Sequence, residues 1–212
     1  MKKEIKTIRM FDFEIRSEHD EEHGNFLTGR PIVYDQRTDV GMFDEIIDKG
    51  ALDLADMKDV RFLVNHNTDM IPLARSRNNN ENSTMQLMPD EEGLKIRVNL
   101  DTENNSEAKS LYSAVERGDI SGMSFMFSVD KDSWDGIDTE HPTRHIRSIK
   151  RVLEVSAVTF PAYTATSIQA RGLSDALDSA PESLESAKAE MRAVERKRKQ
   201  ILLMMEVDNA HD

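Results

Sequence analysis

Residues 119–129 read Asp119-Ile120-Ser121-Gly122-Met123-Ser124-Phe125-Met126-Phe127-Ser128-Val129. Side chains of a strand alternate between its two faces, so Met123, Phe125, Phe127 and Val129 share one face while Ser124, Met126 and Ser128 share the other. The apolar set predicts a core face, and with it a protein organised on this strand. The opposite face opens with a hydroxyl just after a Gly-containing turn, where a side chain is held rigidly and can still be reached. That setting suits a nucleophile, and two distant segments, around His66 and Glu154, carry groups that would serve it.

On the N-terminal side, Asn104 and Glu107 stand in capping-box spacing, and Ala108, Leu111, Tyr112 and Val115 recur at helical spacing before Gly118. An amphipathic helix therefore delivers the chain into the Ser124 strand. Residues 94–100 alternate cleanly as a half-buried strand, and residues 77–82 form a polar, Asn-rich loop. In residues 60–67, Val60, Phe62, Val64 and His66 share one parity, which puts the histidine at the end of a buried row; a core histidine or an exposed turn residue is the plain alternative. Residues 41–56 hold a short apolar run, a turn and a short helical piece. Residues 26–34 read as a strand with an edge or bulge at Pro31, and residues 5–16 as a first strand with Phe11, Phe13 and Ile15 alternating. Between those two, residues 18–24 place His19 and His23 among carboxylates; the flanking strands and Gly24 favour a solvated hairpin loop over a metal site.

On the C-terminal side, residues 130–144 are a polar excursion containing Trp134. His141 and His145 have the spacing of two ligands on a helix, as a metal hydrolase would need, but Pro142 and the alternation after it predict a loop entering a strand. Residues 151–163 are the second dense strand, ended by Pro161. Glu154 shares a face with Val152, Ser156, Val158 and Phe160, and a carboxylate in such company needs a partner, whether an arginine or the imidazole. Beyond Gly172 the chain has neither glycine nor aromatic residue, and residues 182–206 read as one long amphipathic helix through Leu184, Ala187, Met191, Val194, Ile201 and Met205. Its cluster Arg196-Lys197-Arg198-Lys199 reads as a solvated face rather than a nucleic-acid contact. So narrow an apolar stripe seeks a partner.

The 212 residues can hold one sizeable core plus an appended segment. With 38% hydrophobic and 32% charged residues the composition is that of a globular chain with a polar extension, and no run approaches the roughly 18 apolar residues of a membrane span. The absence of cysteine removes disulfides, thiolate zinc sites and cysteine nucleophiles, and suits a reducing cytoplasm. A net charge of -12 argues against a general nucleic-acid binder, which neutralises phosphates with clustered cations. Three residues stand out with complementary chemistry: the Ser124 hydroxyl, the His66 imidazole able to take its proton near neutrality, and the Glu154 carboxylate able to fix the imidazole tautomer. That chemistry calls for no cofactor and no metal.

Five segments in order resemble the prohead, or procapsid maturation, proteases of tailed bacteriophages, serine peptidases similar in fold to herpesvirus assemblins. They are Glu45-Ile46-Ile47-Asp48-Lys49-Gly50-Ala51; Leu63-Val64-Asn65-His66-Asn67 with Pro72-Leu73-Ala74-Arg75-Ser76; Glu91-Glu92-Gly93-Leu94; residues 117–127; and residues 153–163. The resemblance implies His66 as general base, Ser124 as nucleophile and Glu154 as third member, with Asp119 an alternative for that last role. Ala74 and Met126 stand where the family usually has glycine, the second bearing on the floor of the substrate cleft. It further implies a mainly β fold with flanking helices, a closed or nearly closed antiparallel β-barrel of about seven or eight strands, over residues 1–171, with residues 172–212 a helical tail that serves assembly or is self-cleaved. The implied task is to cut scaffold, or the scaffolding segment of the major capsid protein, and the protease itself. The work is done by a self-associating protein inside the assembling procapsid in the host cytoplasm. A non-catalytic assembly protein with a β-barrel and a helical arm is the competing reading.

Overall fold

The alternation that begins at Met123 continues far past Val129. The computed structural model describes residues 7–11, 15–21, 24–159 and 179–209. In chain order these form β1 (Thr7–Phe11), β2 (Ile15–Asp20), β3 (Gly24–Val33), β4 (Thr38–Asp39), β5 (Asp44–Ile47), β6 (Asp59–Val64), β7 (Ala74–Arg77), β8 (Met85–Asp90), β9 (Gly93–Asn99), α1 (Ser106–Glu116), β10 (Gly122–Asp135), β11 (Thr143–Val158) and α2 (Ser179–Asn209). The fold is mainly β with a long C-terminal helix.

β10 and β11 pair antiparallel over almost their whole length, from Gly122 opposite Val158 to Asp135 opposite Thr143. The polar excursion expected at residues 130–144 is thus mostly the far end of a two-stranded ribbon. Its residues are polar because backbone pairing, rather than burial, holds most of them. Register shifts after Met126 and after Ser128 let the long ribbon bend. β1 flanks β10 on its other side, with Met10 opposite Ser124. β5 and then β6 run parallel to β11, Asp44–Ile47 beside Thr143–Ile146 and Arg61–Val64 beside Glu154–Ala157. The link between them stays on β11 through Ile149 N–H to Ala51 O (2.8 Å) and Val152 N–H to Asp56 O (3.1 Å). The short helix expected there is instead a run of tight turns, Ala51 to Asp48, Asp53 to Gly50 and Ala55 to Leu52, each 3.0 Å.

The second sheet has the order β2-β3-β9-β8 and is antiparallel throughout. The single strand expected at residues 5–16 is therefore two, β1 in one sheet and β2 in the other. Among the described residues the ladders make these two sheets and do not close into one ring. The inner faces of both meet in one core, with Leu27, Ile32, Ile96 and Val98 from one sheet and Phe62, Phe125, Phe127, Val152 and Val155 from the other. α1 adds Ala108, Leu111 and Val115 to it. Its N-cap is Asn105, whose side chain accepts from Glu107 N and Ala108 N, while Asn104, the expected cap, bonds Asp101.

The bulge expected at Pro31 lies between Gly29 and Ile32 in the β3–β9 ladder. Arg30, at that bulge, donates to Asp90 (2.7 Å), and this hydrogen bond holds the Asp90 carboxyl well below the usual carboxylate range. Gly93 sits beside it at φ +145°, where an added Cβ would lie 2.0 Å from the Ile32 carbonyl oxygen. Gly93→Ala is expected to part β3 from β9 and to cost about 2–4 kcal/mol, read as a lower denaturant midpoint. A midpoint equal to wild type would mean that the approach of the two strands is not tight.

The helix expected at residues 182–206 spans Ser179–Asn209. Its base is anchored: Ala180, Leu184 and Ala187 pack on Phe43, Trp134, Val40 and Ile137. Arg144, 1% exposed, donates to Asp132 (2.6 Å) and Ser179 (3.3 Å), and Trp134 Nε1 donates to Ser183 (2.9 Å). Farther along, Val194, Ile201, Leu202 and Met204 are exposed.

Candidate active site

Three segments far apart in the chain converge where β11 lies between β10 and β6. Ser124 and Ser156 face each other in the β10–β11 ladder, and Glu154 stands two residues before Ser156, on the same face of β11. β6 ends at Val64 beside Ala157, and the chain turns there with Asn65 at φ 51° and His66 at φ 56°. The histidine does not extend the buried row of β6 by parity, as expected. Two successive left-handed residues swing it back over β11. Asn and His visit that conformation more often than most residues, but any residue with a β-carbon is strained there and must be held by its surroundings. Asn65 is tied to Thr159, accepting its backbone N–H at 2.9 Å and donating to its hydroxyl at 3.0 Å.

The turn brings the imidazole between a carboxylate and a hydroxyl. His66 Nδ1 is hydrogen-bonded to Glu154 Oε1, and Nε2 lies 2.6 Å from Ser124 Oγ. An ionised carboxylate accepts only, so Nδ1 carries the proton and Nε2 presents its lone pair to the serine O–H. Glu154, 3% exposed, makes its described ion pair with this histidine rather than with an arginine. Arg61, its neighbour across the β6–β11 pairing, goes to Asp59 instead. Asp119, the alternative third member, is held by Arg117 at 2.6 Å. Met126 lies opposite Glu154 in the ladder and is half-buried.

Ser124 has 0% exposure, in contrast to the reachable hydroxyl expected from its place after the turn. Two hydrogen bonds that residue types do not announce complete the neighbourhood. Ser156 Oγ accepts the His66 backbone N–H (3.1 Å) and donates to Glu154 Oε2 (2.6 Å). The signal that could have found Ser156 is its Glu-x-Ser spacing, which puts it beside Glu154.

The histidines weighed as metal ligands fall apart. His145 is in β11 against Asp48 (2.9 Å), whereas His141 is in the preceding loop against Asp44 (3.1 Å). Asp39 reaches the His141–Asp44 pair, but the group is largely exposed and Asp44 also accepts from Arg37 (3.0 Å). His19 lies in β2 and bonds Asn25 (2.8 Å), while His23, like Pro161 and the rest of residues 160–163, lies outside the described residues.

A mainly β chain with serine, imidazole and carboxylate in series is built in the manner of a serine peptidase. The chain belongs to the caudovirus prohead serine protease family, whose model matches residues 11–179. It is 30% identical over 177 residues to the prohead protease of Enterobacteria phage HK97, covering 82% of this chain and 72% of that protein. A looser likeness, at 12% identity and a TM-score of 0.40, links it to the solved structure of the bacteriophage T4 capsid assembly protease, over 74% of this chain and 99% of that one. By its family and its HK97 relative, the chain is a phage prohead maturation protease of the serine type.

Proposed function

We propose that His66, Ser124 and Glu154 form the catalytic triad of this protease and that it cuts the major capsid protein or its scaffold during capsid maturation. The observation that carries the reading is the unbroken run of contacts from Glu154 through His66 to Ser124, assembled from β11, the turn after β6 and the start of β10. As Oγ attacks the scissile carbonyl, its proton passes to Nε2, and the imidazolium that forms is held against Glu154. The imidazolium then protonates the departing amine, which leaves the acyl group on Ser124. A water, deprotonated by the same imidazole, releases it.

Substrate identity comes from kinship, since the family and its HK97 member are named for the prohead. On that footing the protein works inside the assembling procapsid in the host cytoplasm. Residues 172–212 serve as an assembly handle on capsid or scaffold: α2 is fixed at its base and presents Val194, Ile201, Leu202 and Met204 to a partner. Co-expression with the capsid protein of the same phage, read by intact mass of both chains, tests the activity, and loss of the tail from wild type alone would make that tail a self-cleaved segment. Tail loss from a Ser124→Ala chain as well would overturn self-processing.

Glu154→Gln separates a triad from a dyad. If the amide NH₂ faces Nδ1, the imidazole must keep its proton on Nε2, where it cannot accept from Ser124. If the amide oxygen faces Nδ1, the NH₂ displaces the hydrogen of Ser156. Cleavage is expected to fall by about 10³–10⁴-fold while the melting temperature holds to within a few degrees. Cleavage within tenfold of wild type would remove Glu154 from the machinery.

A further inference from the structure

We infer that Ser156 is a positioning residue of the protease, fixing the imidazole and the carboxylate relative to each other through a single hydroxyl. The inference rests on the reading of His66, Ser124 and Glu154 as the reacting groups. Ser156 is fully buried, and its Oγ stands between two groups that both need a partner. It accepts the backbone N–H of His66 at 3.1 Å and donates to Glu154 Oε2 at 2.6 Å. Glu154 returns to His66 through its other oxygen, Oε1, on Nδ1. The contacts therefore form a closed ring that leaves His66 by its backbone and comes back to it by its side chain.

Each part of that ring has a physical task. The His66 backbone is at φ 56°, a conformation a residue with a β-carbon keeps only when its surroundings hold it. Asn65 and Thr159 hold one side of the turn, and Ser156 holds the peptide N–H of the histidine itself. The carboxylate has a second oxygen that burial would otherwise leave without a donor. Because it donates to Oε2, the Ser156 hydroxyl also settles which way the carboxylate plane lies and keeps Oε1 turned to the imidazole. The site thus requires one small side chain that accepts from an N–H and donates to a carboxylate at once. A hydroxyl does this. Alanine does neither, cysteine does both weakly, and an amide or carboxylate is too large for a wholly buried place between two strands. The described hydrogen bonds of Ser156 go to His66 and Glu154 and not to Ser124 Oγ, so its loss should slow turnover without weakening substrate binding.

The test uses the full chain acting on the capsid protein of the same phage, with rates followed over a range of capsid-protein concentrations. Ser156→Ala is expected to lower the saturating rate about 100-fold, the scale of loss when a reacting group is displaced by a fraction of its contact distance, with the half-saturating concentration unchanged. Ser156→Cys should fall between alanine and wild type. A merely structural role would not move the downfield proton resonance of the His66 Nδ1–H, identified by its disappearance in His66→Ala; Ser156→Ala should broaden or shift it. Wild-type turnover in Ser156→Ala beside an inactive Ser124→Ala would overturn the positioning role and leave the triad standing. A rate loss matched by the unfolded fraction, with cysteine no better than alanine, would overturn it too. Cleavage by Ser124→Ala would remove the triad and Ser156's part in it together.

Discussion

Ser124→Ala is expected to leave the co-expressed capsid protein at its full precursor mass, a fall of about 10⁵–10⁶-fold in cleavage rate. The substitution removes one oxygen and nothing else. The backbone ladders on either side of Ser124, to β1 and to β11, do not use its side chain. The β-carbon that remains still fills most of the buried position, and the hydroxyl's hydrogen bond with His66 Nε2 disappears. A hydrogen bond of this kind contributes about 1 kcal/mol, so the loss of this one should leave the protein folded. On the proposed triad, what survives is a folded protein with a base and no nucleophile, able at best to direct a water at the bond. Intact mass of the capsid protein and thermal unfolding of the variant provide the two readouts. A capsid protein processed normally by this variant would leave a shell component with no bond-breaking role, a β protein with a helical arm and nothing more.

The parts of the fold that were legible are those where burial imposes a period. Leu94, Ile96 and Val98 alternate with Lys95 and Arg97, and the structure buries the first set and not the second. The helix before Ser124 was legible for the same reason, although its cap moved from Asn104 to Asn105, since two adjacent asparagines offer the same chemistry and only Asp101 decides between them. Residues 130–135 were illegible because a ribbon held mostly by backbone pairing carries one apolar residue, Trp134, and no apolar alternation. Asp132, which looks like loop, is in fact the partner of buried Arg144. Parallel pairing of β5 and β6 with β11 carries no local mark at all. At the site, the residue types were legible and their geometry was not. Parity put His66 at the end of a row, whereas two left-handed residues turn it over β11, and the one textual hint was the Asn before it. Ser156 was visible as a neighbour of Glu154, but nothing in a sequence says that one hydroxyl is to serve two groups.

His66 allows function and stability to be pulled apart at one position. Removing the imidazole takes away the proposed base, whose Nε2 stands 2.6 Å from Ser124 Oγ, so His66→Ala and His66→Gly should both lose about 10⁴–10⁶-fold in cleavage. Their stabilities should differ. Both leave Glu154 Oε1 without its ring partner while Ser156 still serves Oε2, so that cost is common to the two. Alanine keeps a β-carbon at φ 56°, which costs roughly 1–2 kcal/mol relative to a right-handed residue. Glycine adopts that angle freely but gains more entropy in the unfolded chain, offsetting about 0.4–1 kcal/mol of the benefit. Glycine should therefore come out ahead by about 0.5–1 kcal/mol, seen as a higher urea midpoint at equal slope. Equal midpoints would mean that the turn relaxes once the imidazole is gone and that the strain belongs to the histidine's two hydrogen bonds. A glycine variant that is more stable than alanine and equally inert would show that the backbone is bent at this residue in order to carry the base to the serine.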